Sequence, residues 1–417
     1  MAIKIQNVNV INDDRSFVTL SGTTRPSNPQ TGMIWYNTSV GVWEIYSGTA
    51  WEELEGGTQG PITGAWAWGW NLLGQLGDGT TTDKNSPVSV VGGFTDWVQI
   101  SARSGHTAAV RANGTVWAWG AGRFGRLGDG TTTDKNSPVS VVGGFTDWVQ
   151  VSAGNAHTAA VRANGTVWAW GVNWNGRLGD GTTTDKNSPV SVVGGFTDWV
   201  QISAGADHNA AVRANGTVWA WGNNFAGQLG DGTTTDKNSP VSVVGGFTDW
   251  VQISGGDSHT AAVRANGTVW AWGSNFAGQL GDNTATGRSS PVSVVGGFTD
   301  WVTVNAGGAH TAAVRANGTA WAWGYNSRGG LGDGTETFRT SPVSVVGGFT
   351  DWVTVSAGFN HTAAVRANGT AWAWGGNLNG RLGDGTETSR SSPVSVAGGF
   401  TDWVTVSAGN HTAAIKR

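Results

Sequence analysis

Cysteine is absent from this chain of 417 residues, which excludes a disulfide framework, a thiolate metal site and a cysteine nucleophile. Methionine and tyrosine are scarce, at two and three residues. Charge is sparse as well. The 24 Lys and Arg stand against 28 Asp and Glu, a net of −4, so no basic surface points to nucleic acid or an acidic membrane. No run of about 18 apolar residues occurs, and the opening MAIKIQNVNVINDDRSFVTL lacks the apolar core of a secretory signal. The expectation is a soluble protein with no membrane insertion.

Glycine and tryptophan are abundant instead, at 68 and 26 residues. They recur on a fixed pitch. The tetrad WAWG begins at Trp66, Trp117, Trp168, Trp219, Trp270, Trp321 and Trp372, a step of 51 residues. His106, His157, His208, His259, His310 and His361 keep that step, while His411 comes one residue early. A strict period of this size implies a solenoid, a propeller or an array whose units cannot bury their own cores. Each unit reads as four strands: DWVQIS, then HTAAVR and TVWAWG joined by Asn-Gly, then SPVSVV with a proline suited to an edge. Pairing outward from Asn113-Gly114 sets Val110 opposite Trp117 and Ala108 opposite Trp119, leaving the mostly small Thr107, Ala109, Val116, Ala118 and Gly120 on the other face. Large-on-small stacking of such sheets predicts a propeller.

The last copy stops at HTAAIKR, where its hairpin turns toward the tryptophan strand, and the first begins at GAWAWG with no strand before it. One blade is therefore split between the two ends. The predicted fold is all-β: a seven-bladed propeller over 61–417 closed by pairing of the N- and C-terminal strands, preceded by a small β module at 1–60. The tryptophans of WAWG and TDW are assigned to the core. Trp35, Trp43 and Trp51 are assigned to the small module, whose strands are MIWYN, VWEIYS and AWEEL.

The run GNNFAGQLGDGTTTDKNSP after WAWG, with HTAAV before it, resembles the regulator-of-chromosome-condensation (RCC1-like) repeat, over about 61–417. That resemblance implies a seven-bladed propeller and leaves function open, since the family includes a chromatin nucleotide-exchange factor, a plant photoreceptor and a secreted β-lactamase inhibitor. The basic tail and the G-W-R-H-T triplets of the first two are missing here. The N-terminal MAIKIQNVNVINDDRSFVTL and RPSNPQTGMIWYNTSVGVWEIYSGTAWEEL are similar to segments of tailed-phage, cyanophage-like virion fibre and decoration proteins. The resemblance implies a virion structural protein assembled in the host cytoplasm. Residues 1–60 would attach it to other virion proteins, as a homo-oligomer in the particle, and the propeller would contact a host-surface receptor or glycan. The alternative is a secreted or cellular binding propeller, lectin-like or inhibitor-like.

Catalytic chemistry finds little support. One histidine per blade holds the imidazoles apart rather than gathering them on a metal, and each is expected to brace its own loop. GDGTTTD lacks the ladder of acidic residues of a calcium loop. No nucleophile–base pair is apparent, so no catalytic residue, metal or cofactor is assigned. Binding is the better lead. The copies differ in only two places, before each histidine and after each WAWG, and loops after odd strands leave by one face. That variable face carries Trp70, Arg103, Arg123, Phe124, Trp174, Phe225, Phe276, Tyr325, Arg328 and Phe359, residue types enriched at interfaces. The competing expectation is that residues after WAWG plug their own loops, Phe225 and Phe276 above all.

Overall fold

The computed structural model describes residues 64–417 and, before them, the backbone of six short strands. Of these, Ile34–Asn37, Val42–Tyr46 and Trp51–Glu53 stand where the sequence places them and pair antiparallel in that order. The packing assigned to Trp35, Trp43 and Trp51 lies outside the described residues.

Gly64–Lys416 forms one compact unit of seven four-stranded antiparallel sheets. In the first blade Trp97–Ala102, His106–Arg111, Val116–Gly120 and Lys135–Ser140 lie side by side in chain order. Blades starting at Trp148, Trp199, Trp250, Trp301 and Trp352 repeat it. The seventh joins both ends of the propeller: Trp403–Ala408, His411–Lys416, Ala65–Gly69 and Lys84–Ser89. His411 pairs with Gly69, Ala414 with Trp66 and Ile415 with Ala65, the closure expected from the sequence.

The hairpin register differs from expectation by one residue. Val110 pairs with Val116, Ala109 with Trp117 and Thr107 with Trp119. The turn is the cause. Asn113-Gly114 is not a two-residue turn; Arg111 and Thr115 close a three-residue loop in which Gly114 N–H donates to the Arg111 carbonyl at 2.9 Å, with φ at +73°. Such loops put glycine in the left-handed region, and a one-residue slip exchanges what each face carries. Trp117 and Trp119 therefore share a face with Thr107 and Ala109. The opposite face is Ala108, Val110, Val116 and Ala118, and it packs against Trp148, Val151 and Trp170 of the next blade. Large-on-small stacking survives with its membership changed. The second tryptophan of each WAWG and the TDW tryptophan are buried, whereas the first WAWG tryptophan is half-buried, its indole N–H donating in six of the seven copies to a threonine hydroxyl, as Trp117 does to Thr115 at 3.1 Å.

Two rings of hydrogen bonds tie the blades together. In the innermost strands the Ser101 hydroxyl accepts from Ala153 N–H at 3.0 Å, Ser152 from Ala204, Ser203 from Gly255 and Ser254 from Ala306. Asn305, Ser356 and Ser407 complete the circle, the last accepting from Ala102 of the first blade at 2.9 Å. The histidines make the second ring, and each braces the next blade rather than its own loop. His106 Nε2 meets Thr158 Oγ1 at 2.9 Å, and the series runs round to His411 Nε2 on Thr107 Oγ1 at 2.6 Å. Thr158 Oγ1 already donates to the Arg126 carbonyl, so it accepts from His106 Nε2–H. His106 Nδ1 is buried without a hydrogen-bond partner, which makes the imidazole neutral with its proton on Nε2.

Closure and the histidine ring each generate a test. Deleting 411–417 removes an interior strand of the seventh blade, so the shortened chain should lose the single cooperative melt of the full chain in circular dichroism. An unchanged melt would disprove closure through the ends.

Burial, supplemented in most blades by neighbouring arginines or histidines, depresses every ring histidine. His208, His259 and His411 fall to about 3, His310 to about 4, and His106, His157 and His361 well below the ordinary value. An unfolded imidazole titrates near 6.5, so the contribution to stability is fully present above that pH. Below it the unfolded chain binds protons that the folded ring refuses, at a loss of up to about 1.4 kcal/mol per pH unit per histidine. Urea midpoints should fall steeply between about pH 6.5 and about pH 4.5, and His208→Gln should reduce the slope by about one proton. A flat profile across that window would exclude a neutral buried ring.

Candidate functional site

Loops after the first and third strands emerge on one face. Those after the first strands circle the central mouth through backbone bonds: Asn155 N–H to the Ala206 carbonyl, Ala206 to Gly256, Asp257 to Gly307, Gly308 to Gly358, Phe359 to Gly409 and Asn410 to Arg103. In six blades the first loop residue is glycine, and a Cβ on Gly154 would lie 2.2 Å from its own His157 ring. Arg103 occupies that position in the first blade. Its N–H bond to the His106 carbonyl stretches to 3.4 Å, against 2.8 Å for Gly154 on His157. The side chain reaches across the mouth to the fourth blade, with Nη1 donating to the Gly255 carbonyl at 3.0 Å and Nη2 to Asp257 Oδ1 at 2.9 Å. A cavity of about 70 Å³ there is lined by Arg103, Asp257, Phe359 and Asn410 among others. Arg103 is thus held by the ring rather than presented to a partner.

In six blades the outer loops, after the third strands, share an Asn-based frame; in the first blade Gly122 stands at the asparagine's register. Asn224 is buried; its Nδ2 donates to Asp231 Oδ1 at 3.0 Å and to the Thr233 carbonyl, and its Oδ1 accepts from Leu229 N–H. Asn224 and the buried Leu229 fill the loop, so Phe225 has no interior left to occupy. Phe225 is 86% exposed and its counterpart Phe276 67%, which corrects the expectation that they plug their loops. Trp174, in the same register, is 55% exposed, and Leu72 and Leu378 stand out likewise. The sequence reading missed these two leucines, although their position after the loop asparagine marks them. Arg123 and Ser327 take that register in the remaining two blades.

Other expected residues gather in small groups. Phe124 meets Trp174 edge-on with centroids 5.4 Å apart, and the Arg123 guanidinium lies 4.6 Å from the Phe124 centroid. Phe124 has φ at +64°, a left-handed conformation that asparagine takes at the matching Asn175 and Asn379. For an aromatic residue this is strained. Tyr325 stacks on Phe338 with centroids 4.6 Å apart. Trp70, Arg328 and Phe359 line a common pocket of about 340 Å³ together with Arg381, which the sequence reading did not single out.

The carboxylates of the GDG turns are spent inside the loops. Asp78 accepts from Thr80 N–H and Oγ1 and from Asn71 Nδ2, with Lys84 Nζ at 3.5 Å. Burial alone would raise its pKa, but these hydrogen bonds and the lysine charge hold it below the ordinary value. The uniform face is equally self-contained. Arg111 Nε donates to Asp96 at 2.7 Å while its guanidinium covers the Phe94 ring at 4.1 Å, and Arg162 with Asp147 and Phe145 repeats the arrangement. One half-exposed valine per first strand, from Val98 to Val404, is common to all seven blades and distinguishes none of them.

Comparison with known proteins places this geometry in a family. A model described as the RCC1-like domain matches residues 63–364, and models of the regulator of chromosome condensation (RCC1) repeat match 352–381 and 368–415. The chain is 34% identical over 337 residues to the ultraviolet-B receptor UVR8 of Arabidopsis thaliana, covering 78% of this chain and 76% of that one. It is 30% identical over 357 residues to the human E3 ubiquitin-protein ligase HERC2, covering 82% of this chain but only 7% of the ligase. Human WBSCR16 superposes with a TM-score of 0.77 at 22% identity, over 85% of this chain and 98% of that one. Prp20p of Saccharomyces cerevisiae superposes with a TM-score of 0.75 at 22% identity, over 85% and 91%.

These findings overturn the virion reading, with its fibre role, its anchor at 1–60 and its virion partners. That reading rested on the resemblance of the N-terminal segment alone. Relatives that match the propeller include a plant receptor and a ubiquitin ligase, and they favour the alternative of a binding propeller unrelated to a virus. The matched segments run with little interruption from 63 to 415, and the chain belongs to the RCC1-like family.

Proposed function

We propose that this chain is a non-enzymatic protein-binding propeller, cellular or secreted, that recognises its partner with the variable face. The observation that carries this is the set of exposed apolar side chains at one loop register: Leu72, Trp174, Phe225, Phe276 and Leu378. Large apolar groups held in solvent by a rigid frame are the material of interface hot spots. The histidines, the strongest candidate bases, are buried, with Nε2 engaged by the next blade, which argues against catalysis. The fold carries protein partners elsewhere, since yeast Prp20p has binding properties to Gsp1p and histones. That likeness concerns the fold; the reading for this chain rests on its own exposed ring.

A partner captured by the full chain provides the test, with affinities measured by calorimetry. Phe225→Ala and Trp174→Ala should each weaken binding about thirtyfold, the loss of roughly 2 kcal/mol typical of a central aromatic. Asn164→Lys, in a turn of the uniform face, should change it less than about fivefold. Loss of binding through Asn164→Lys, with the aromatic variants unaffected, would place the partner on the other face and refute the proposal.

A further inference from the structure

Three departures from the repeat, in the outer loops of the fifth and sixth blades and the inner loop of the seventh, lie beside one pocket. Gly330 stands at the register occupied by Gln75, Arg126, Arg177, Gln228, Gln279 and Arg381 in the other blades. Gly376 directly follows its WAWG, where five of the other six copies carry a side chain beyond a methyl group, Trp70 and Tyr325 among them. The last first-strand loop has two residues, Gly409 and Asn410, where the others have three. Each departure removes volume, and the pocket of about 340 Å³ opens there, walled by Trp70, Phe359, Asn360, Asn379 and the two arginines Arg328 and Arg381.

The pocket is cationic, and among the described residues neither of its arginines has a direct ion pair. Arginines at the same register elsewhere are satisfied: Arg126 Nη1 donates to the Asn155 carbonyl at 2.9 Å, and Arg177 Nη1 pairs with the Asp207 carboxylate. Arg381 spends only Nε, on the Leu378 carbonyl at 3.0 Å. Its terminal nitrogens have no hydrogen bond or ion pair among the described residues, although the residue is only 7% exposed. Asp83 is committed elsewhere, its Oδ1 accepting from Asn71 N–H and its Oδ2 from Asn379 Nδ2. Arg328 adds a second positive charge, its stem lying over Gly376, where a Cβ would come within 3.0 Å of Arg328 Cδ. Burial first, then the Arg328 charge, push the Arg381 pKa down to about 10, with Asp83 opposing. A mostly buried guanidinium with no direct ion pair is costly, and an incoming carboxylate relieves that cost through paired hydrogen bonds.

We propose that this pocket takes an aspartate or glutamate side chain of the protein partner, with an adjacent apolar residue lying on Trp70 and Phe359. The proposal rests on the protein-binding reading and names the chemistry of the segment bound. Both arginines supply the charge. The aromatic walls exclude water around the ion pair, which strengthens it and selects an acidic residue with an apolar neighbour over a free ion.

The test uses the full chain and a fluorescein-labelled Glu-Phe-Glu-Phe peptide, with Gln-Phe-Gln-Phe as the neutral control and inorganic phosphate as competitor. The acidic peptide should bind saturably, at least about tenfold tighter than the neutral one. Arg381→Gln and the exposed Arg328→Gln should each remove most of that preference, with the thermal melt of the Arg328 variant unchanged. Equal binding of the two peptides, or indifference to both arginine variants, would overturn the proposal. Phosphate displacing the peptide at comparable concentration would overturn it too, making the pocket a small-anion site. Asn164→Lys, in a turn of the uniform face, should leave the peptide affinity unaltered. If Phe225→Ala weakens the captured partner while the peptides fail to discriminate, only the pocket proposal falls. If peptide selectivity holds and Phe225→Ala leaves the captured partner untouched, only the aromatic-face reading falls.

Discussion

A blade of this propeller cannot cover its own apolar faces, and every other feature depends on a neighbour doing so. Ala108, Val110, Val116 and Ala118 are small because Trp148 and Trp170 of the next blade must lie on them. The same demand passes round the ring until the seventh blade, built with strands from both ends of the propeller, covers the face of the sixth. Burial of this kind is non-directional, so it supplies cohesion without setting the angle between blades. The directional part comes from the serine and histidine rings. Each serine hydroxyl receives a backbone N–H from the neighbouring innermost strand, and each histidine donates into the next blade.

Because those ties recur at the same positions in each blade, the loops above them carry little of the stability. The Asn224 frame shows how: one buried amide and one leucine fill the loop, and the residue between frame positions is left free to be Phe225, Trp174 or Leu378. Constraint and variation are separated by a single residue. Where variation enters the frame itself, the consequences are visible. Arg103 in place of a ring glycine lengthens its own backbone bond and fastens the first blade to the fourth across the mouth. Gly330 and Gly376 in place of side chains leave Arg381 beside an open pocket, its terminal nitrogens without a hydrogen bond among the described residues.

Much of the variable face was legible because near-identical copies make any difference conspicuous. The loops, their common face and the aromatic character of their tips were all visible at that level. The state of each side chain was not. Phe225 and Phe276 look like loop plugs until Asn224 and Leu229 are seen to occupy the interior. Arg103 looks like a free guanidinium until Asp257, 154 residues away, is seen to hold it. Arg381 passed unnoticed because arginine is ordinary at that register. What distinguishes it from Arg126 and Arg177 is that its terminal nitrogens find no acceptor among the described residues.

The strict period of 51 residues, with one blade divided between the two ends, was enough to determine the all-β ring and its closure. No other arrangement pairs HTAAIKR with GAWAWG while burying a tryptophan pair in every unit. Periodicity alone could not determine the hairpin register, because Asn-Gly serves both two-residue and three-residue turns, and one residue of slip exchanges the faces. Nor could it say what each histidine holds, since the side chain it meets belongs to the next blade, as Thr158 does for His106 and Asn209 for His157. Contacts between blades are set by how rigid sheets lie on one another, and that geometry exists only once the ring has closed.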